Sequence, residues 1–276
     1  MTNLVERTLT SILFVVVLLG SIIQSEFASS ILFFMIILLC QREFYNFFKS
    51  TEIKPQKKVG IIAGLAYFVI SVLASQTKVE SETLFSIIPL IFTIFIIELF
   101  RNRPRPIPNI AYTILGIIYI AVPFTLLHEM AYYKDYAFGR EYNYDILIGY
   151  FFVLWANDTG AYLIGRTFGK HKLFPRISPK KTWEGSIGGA AMGLLMGFIN
   201  SLIFTEFPLV LWMGLAAIVV VFGSWGDLVE SLFKRSLNIK DSGKLLPGHG
   251  GVLDRFDGIF ISAPMVYTFL RLLSFI

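Results

Sequence analysis

Residues 207–226, FPLVLWMGLAAIVVVFGSWG, contain no ionisable side chain. About 20 mostly apolar residues are what an α-helix needs to cross the hydrocarbon core of a membrane, so this stretch predicts a membrane-spanning helix. The composition agrees, because 55% of the 276 residues are hydrophobic and only 16% are charged. A soluble domain carries about 25% charged residues, and the soluble class is therefore excluded.

Eight further stretches of similar length carry no charge or a charge near one end, so we expect about nine spans. They cover residues 8–25, 27–48, 59–77, 83–100, 106–127, 146–165, 185–205 and 258–275. The expected fold class is an all-α, polytopic transmembrane helical bundle that forms one integral membrane domain over residues 1–276. Its N-terminal helices (1–130) show no clear motif, and the catalytic helices are expected in residues 144–276.

The Lys and Arg residues alternate between the connecting segments. Twenty of the 24 fall on one side of the predicted membrane, and only Lys78, Lys134 and Arg140 fall on the other, with Arg271 inside the last predicted helix. Cytoplasmic loops are enriched in Lys and Arg, so the pattern predicts a cytoplasmic N-terminus and an external C-terminus. The same rule explains the net charge of +5 without a nucleic-acid partner.

Ionisable residues inside a membrane helix are costly, and each is a candidate for function. In the sixth predicted helix Asp158, Tyr162 and Arg166 recur at intervals of four residues and therefore share one face, which we expect to point inward. An Asp158–Arg166 ion pair with a purely structural role is the alternative. We favour a functional role, because Asn157 and Thr159 place further polar groups beside Asp158.

The loop that follows, GKHKLFPRISPKKTWEG at residues 169–185, is strongly basic. Membrane topology alone produces basic cytoplasmic loops, and that is the alternative explanation here. However, Ser178, Pro179 and Thr182 precede a predicted helix N-terminus, where backbone N–H groups favour an anion. Lys180 and Lys181 are therefore predicted to bind phosphate.

A second polar segment, DLVESLFKRSLNIKDSGKLLPGHGGVLDRFDG, covers residues 227–258. Carboxylates without Cys ligands favour a hard cation such as magnesium, which shares its ligand shell with substrate phosphates. The predicted ligands of one magnesium ion, or of two cations, are Asp227, Asp254 and Asp257. Glycines let the backbone approach a phosphate, and basic side chains neutralise its charge. The predicted substrate-binding residues of this segment are Ser231, Lys234, Arg235, Lys240, His249, Gly250, Gly251 and Arg255.

The order of residues from Ser231 to Asp257, SLFKRSLNIKDSGKLLPGHGGVLDRFD, resembles the signature of the CDP-diacylglycerol synthases, or phosphatidate cytidylyltransferases. Residues 157–160 (NDTG) and 178–185 (SPKKTWEG) also resemble that family. The resemblance covers the C-terminal half, from about residue 150 onward. The first five predicted helices are similar to the family only in hydropathy.

The resemblance implies transfer of a cytidylyl group from CTP to phosphatidic acid, which gives CDP-diacylglycerol and pyrophosphate in phospholipid biosynthesis. The implied setting is the inner face of the bacterial cytoplasmic membrane, and the resemblance also favours a homodimer. The expected catalytic residues are Asp227, Lys234, Asp254 and Asp257. Asp227 and Asp254 are expected to hold magnesium, with Asp257 and Asp158 in support.

Two other classes of membrane protein remain open at this point. A transporter or flippase for an anionic lipid also needs intramembrane carboxylates, but such proteins bind near the membrane midplane within repeats. A structural or lipid-binding membrane protein explains the basic loops but not the clustered Asp and Gly. A P-loop NTPase is excluded, because the sequence has no G-x-x-x-x-G-K-[ST] motif.

Overall fold

The computed structural model describes residues 2–77, 85, 87–133, 142–243 and 250–273, and these are almost entirely helical. The α-helices are α1 (Thr2–Gln24), α2 (Glu26–Asn46), α3 (Lys57–Thr77), α4 (Ile87–Arg101), α5 (Pro106–Gly116), α6 (Val122–Glu129), α7 (Asp145–Phe168), α8 (Trp183–Ile203), α9 (Leu209–Ser236) and α10 (Ile259–Leu273). A π-helical turn, Ile117–Ala121, joins α5 to α6, and a 3₁₀ turn, Met130–Tyr132, follows α6. The expectation of an all-α membrane protein is confirmed at this level.

Six helical segments of the described chain are long and apolar enough to cross a membrane. They are Glu26–Asn46, Lys57–Ser75, Pro106–Tyr132, Asp145–Phe168, Trp183–Ile203 and Leu209–Ser236, and the shorter apolar helices are Thr8–Gln24 and Ile259–Leu273. Many apolar side chains of these and other helices face outward, and Leu99 and Phe100 are 80% and 83% exposed. Such a surface suits lipid, so the chain is a multi-pass membrane protein. The count of nine spans and the orientation stay predictions.

One compact unit contains residues 1–142 together with residues 241–256. Its helix α2 is tied to neighbouring helices by side chains that bond backbone carbonyls, which satisfies those polar groups away from water. Gln41 donates to Gly60 O and Gly116 O, and Tyr45 donates to Thr113 O. The glycines are needed here, because a Cβ on Gly60 or Gly116 would overlap the Tyr45 ring.

A second compact unit contains residues 143–240 and 257–276, and its described part holds α7 to α10. Helix α8 presents Gly185, Gly189, Gly193 and Gly197 along one buried face. A Cβ on Gly189 would lie 2.7 Å from Asn157 O, and one on Gly185 would lie 2.8 Å from Ala161 O. Small residues at four-residue spacing let membrane helices approach closely, so this glycine face brings α8 against the polar stretch of α7.

Between α7 and α8 the chain forms an antiparallel hairpin of β1 (Lys172–Phe174) and β2 (Ser178–Thr182). The all-α expectation contains no strand, so the hairpin is an addition to it. Its backbone bonds to the next helix as well, since Trp183 N donates to His171 O at 2.9 Å. The prediction that a helix begins after Thr182 is confirmed, because the Thr182 hydroxyl accepts a hydrogen bond from Gly185 N and caps α8.

Candidate active site

A cavity of about 440 Å³ opens at one end of the second unit. It lies between the end of α7, the second strand of the hairpin, the start of α8, the C-terminal part of α9 and the residues before α10. Its charged lining residues are Asp158, Arg166, Lys180, Lys181, Asp227 and Asp257. All six are singled out by the sequence. Asp158 and Arg166 belong to the polar face of α7, and the others belong to the polar segments 169–185 and 227–258.

An ion pair crosses this cavity from the hairpin to α9. Lys181 Nζ lies 2.6 Å from Asp227 Oδ2, and both side chains are partly exposed. Lys181 Nζ also donates to Ser224 O at 3.4 Å, while Ser231 Oγ donates to Asp227 Oδ1 at 3.3 Å. The pair is therefore placed by two elements that are far apart in sequence, and it presents both signs of charge to the cavity.

Asp257 is the third carboxylate of this cavity and lies just before α10. Its Oδ1 accepts a hydrogen bond from Gly258 N at 2.8 Å. Burial raises the pKa of Asp257 above its ordinary value, and the neighbouring carboxylates of Asp227 and Asp158 raise that pKa further. The carboxylates of Asp158, Asp227 and Asp257 therefore influence one another electrostatically within this cavity.

The face of α7 with Asp158, Tyr162 and Arg166 lines the same cavity. Arg166 donates to the Tyr162 hydroxyl at 3.0 Å. No Asp158–Arg166 ion pair is found among the described residues, so the purely structural alternative loses its main support. The expectation that this face points inward is wrong, because Asp158, Tyr162 and Arg166 are all exposed, Tyr162 to 62%, where they line the open cavity.

The donor set of the cavity fits magnesium, since it consists of carboxylate oxygens and contains no Cys or His. Within the described residues, no three carboxylate, imidazole or thiol side chains are already close enough to hold a metal ion by themselves. A metal that shares its ligand shell with substrate phosphates does not require such a preformed cluster.

Glu184 stabilises the hairpin that carries Lys180 and Lys181. Its carboxylate accepts hydrogen bonds from the backbone N–H groups of Lys170 and His171 and lies 2.6 Å from His171 Nδ1. An anion in the first turn of α8 is also favoured by the helix dipole. Glu184 thus helps to hold the residues just before β1 against the start of α8.

We expect Glu184→Gln to loosen this hairpin, because an amide has only one acceptor oxygen. Loss of one hydrogen bond at this solvent-accessible carboxylate should raise local opening a few-fold. Limited trypsin digestion with mass spectrometry should show that increase at Lys172 and Arg176. Glu52→Gln, which changes an exposed carboxylate paired with Arg105, is the control; equal cleavage rates in both variants would contradict the role of Glu184.

Several predicted site residues of the second unit lie outside the described lining of this cavity. Lys234 pairs with the buried carboxylate of Glu230 at 3.2 Å, one helical turn away. Arg235 donates to Ile239 O at 3.4 Å, and Lys240 is exposed. Their roles in binding phosphate stay predictions.

The remaining predicted residues belong to the first unit. Asp254 is half-buried and accepts backbone hydrogen bonds from Ser242 N and Gly251 N, both at 2.9 Å. Gly250 has a φ of +87°, which disfavours other residues, and Arg255 is exposed. His249 lies outside the described residues. Asp254 as a metal ligand stays a prediction.

Glu43, on α2, contacts this segment, although the sequence marks it only as one of the few charges, with Glu98, near the ends of the first five predicted helices. It lies in the last turns of α2, yet its carboxylate accepts hydrogen bonds from Ser242 Oγ, Val252 N and Leu253 N. In the structure it is buried, with 7% of the residue exposed. A single carboxylate near a predicted helix end gives no signal of partners some 200 residues away in the chain.

Comparison with known proteins decides the family. The sequence model of the cytidylyltransferase family matches residues 5–273. The chain belongs to this cytidylyltransferase family. It is 34% identical over 267 residues to a phosphatidate cytidylyltransferase of Staphylococcus haemolyticus and 33% identical to those of Staphylococcus saprophyticus and Staphylococcus aureus. Each alignment covers 96% of this chain and 98% of the relative.

Membership in the cytidylyltransferase family confirms the resemblance seen in residues 231–257 and identifies the chain as a nucleotidyltransferase. It also extends the resemblance, which the sequence motifs place only from about residue 150 onward. The family match begins at residue 5, so the N-terminal helices are part of what this cytidylyltransferase shares with its relatives. Helix α2 and Glu43 lie in that added region.

Proposed function

We propose that this chain transfers the cytidylyl group of CTP to phosphatidate, forming CDP-diacylglycerol and releasing pyrophosphate. The observation that carries the proposal is the cavity in which Lys181 and Asp227 pair beside Asp158 and Asp257. The relatives named above, which match the chain almost from end to end, support the choice of substrates. CTP and phosphatidate are both anionic, so a cavity with fixed cations and carboxylates for a metal suits them.

In this reaction one phosphate oxygen of phosphatidate attacks the α-phosphorus of CTP in line with the leaving group. A new P–O bond forms, the bond between the α-phosphorus and the bridging oxygen breaks, and pyrophosphate leaves with the electron pair. A phosphomonoester has a second pKa near 6, so the attacking oxygen is already anionic at neutral pH. The protein therefore needs no strong general base, and its residues act by positioning and charge neutralisation.

The acidic and the basic residues of the cavity have different roles in this reaction. Asp227, Asp158 and Asp257 would hold magnesium, which when bound supplies positive charge to the phosphate oxygens. Lys181 and Lys180 approach from the hairpin and neutralise further phosphate charge. Arg166 lines the same cavity from α7, where a guanidinium can bind a phosphate through two N–H groups.

The acyl chains of the lipid have a suitable apolar surface in the same unit. A shallow groove of about 310 Å³ between α7 and α8 is lined by Phe152, Trp155, Met192 and Met196. Thr159 also lines this groove and directly follows Asp158, which lines the cavity. A lipid could thus keep its chains in the apolar groove while its phosphate reaches the polar cavity. A bacterial inner-membrane location and a homodimer complete the proposal.

An assay in detergent tests the proposed function. Purified protein with CTP, phosphatidate and magnesium should release pyrophosphate and form CDP-diacylglycerol in equal amounts. Removal of divalent cations with EDTA should abolish the release, and excess magnesium should restore it, because the proposed carboxylate site is then refilled. Absence of pyrophosphate under all these conditions would exclude the enzyme and favour the transporter or lipid-binding alternatives.

A further inference from the structure

Two stretches of the first unit, residues 241–243 and 250–255, carry the predicted substrate and metal residues Gly250, Gly251, Asp254 and Arg255. We call them the loop segment. Glu43 contributes three contacts to it: its Oε2 accepts from Ser242 Oγ at 3.0 Å and from Leu253 N at 2.9 Å, and its Oε1 accepts from Val252 N at 3.1 Å. Both carboxylate oxygens are therefore used to hold the loop segment.

The position of Glu43 is unfavourable unless those donors are present. It is buried, and it lies three residues from the end of α2, where the helix dipole disfavours an anion. A buried carboxylate is tolerated only when charge or hydrogen bonds compensate its lost hydration. The N–H and O–H donors of the loop segment supply that compensation, so α2 and the loop segment depend on each other.

Glu43 also explains why residue 251 is glycine. A Cβ at this position would overlap Ser242 Oγ and Glu43 Oε2 and would lie 2.8 Å from Gly243 N. From the sequence we expect Gly251 to leave room for a substrate phosphate, but in the structure that space is filled by the Glu43 carboxylate. The glycine therefore permits the close approach of α2 to the loop segment.

Helix α2 is hydrogen-bonded to its neighbours on both sides of Glu43. Gln41 and Tyr45, which flank it on α2, bond the carbonyls of Gly60, Gly116 and Thr113. On the other side Asp254 accepts from Ser242 N and Gly251 N, so Ser242 is held by both carboxylates and Gly251 directly precedes the residues that Glu43 holds. Two carboxylates thus fix the loop segment, one from α2 and one from within the segment itself.

We propose that Glu43 is a positioning residue, which holds the loop segment in the conformation in which Gly250, Asp254 and Arg255 serve the nucleotide. The proposal rests on the proposed function for its substrate, and on the hydrogen bonds above for its geometry. Glu43 does not touch the reacting atoms. It acts through residues 250–255, and its loss is expected to affect CTP more than phosphatidate.

Glu43→Gln is the test, since glutamine keeps the size of the side chain but has only one acceptor oxygen. With full-length protein in detergent, we expect the KM for CTP to rise about tenfold, the effect of losing one strong hydrogen bond, while the KM for phosphatidate stays unchanged. Hydrogen–deuterium exchange of peptides covering residues 250–256 should accelerate by a similar factor. Unchanged exchange or an unchanged KM for CTP would overturn the proposal.

Glu98→Gln is the matched control. Glu98 belongs to the same unit, is equally buried at 6% exposed, and accepts hydrogen bonds from Gln56, Arg101 and Asn109. We expect this variant to lower the melting temperature without changing the KM for CTP or the exchange of residues 250–256. An equal rise in KM for CTP in both variants would reduce Glu43 to a general stabilising role and overturn the proposal.

A second variant keeps the test decisive if Glu43→Gln does not fold. Ser242→Ala removes one donor to Glu43 and leaves the carboxylate in place, so a two- to fivefold rise in the KM for CTP is expected. No rise in KM and no faster exchange would contradict the proposal. If the wild-type protein releases no pyrophosphate, the proposed function is wrong. The positioning role of Glu43 is then tested by the exchange of residues 250–256 alone, measured with and without CTP.

Discussion

The Asp227→Asn variant is expected to lose about three orders of magnitude in cytidylyl transfer, which is the upper range for removing one preorganised electrostatic group from an active site. Asp227 is the residue where the contacts of the cavity converge, because it pairs with Lys181 and accepts from Ser231. Asparagine keeps the shape but removes the charge that would bind magnesium and hold Lys181. Initial rates of pyrophosphate release at saturating magnesium measure the loss.

Asp145→Asn is the control for this prediction. Asp145 begins α7, in the same unit but at the other end of the helix from Asp158, and it does not line the cavity. Its replacement should leave the rate within about twofold of wild type, as is usual for substitutions away from a site. Near-normal turnover of Asp227→Asn, with magnesium dependence unchanged, would remove Asp227 from the metal site.

The Gly251→Ala variant is expected to lose activity about 100-fold, because the added methyl group overlaps Glu43 and Ser242. Overpacking of this kind costs about 1–3 kcal/mol, and each 1.4 kcal/mol is a factor of ten. If the loop segment moves to relieve the overlap, the loss appears in the KM for CTP. The part of the overlap that this movement does not relieve lowers the melting temperature in addition. Steady-state kinetics and thermal unfolding in detergent separate these two results.

Gly20→Ala is the matched control for the glycine variant. A Cβ on Gly20, in α1 of the same unit, would meet nothing within 4 Å. Alanine in a helix is favoured over glycine by about 1 kcal/mol, so this variant should be at least as stable as wild type and fully active. A Gly251→Ala protein that matches it in both measurements would show that the contact with Glu43 is not required.

The polar motifs and the helices were predictable because both follow from local rules. Apolar stretches of membrane length mark the helices whatever their partners, and α9 begins within two residues of its predicted start. Its end was not predictable from hydropathy, since the helix continues from Gly226 to Ser236 through charged residues. Asp158 stands out in the sequence because a charge inside a predicted membrane helix is costly, and Lys181, Asp227 and Asp257 stand out because they belong to the two polar segments.

By itself, the sequence determined the membrane class, the helical architecture and the chemical character of the site, since these depend on composition and on spacing along one chain. Only the tertiary structure decided which charges meet: Lys181 with Asp227, and Lys234 with Glu230 instead of with the cavity. It also brought Glu43 to residues 242, 252 and 253. The physical reason is that hydrogen bonds and ion pairs act over a few ångströms in space, and the distance along the chain does not limit them.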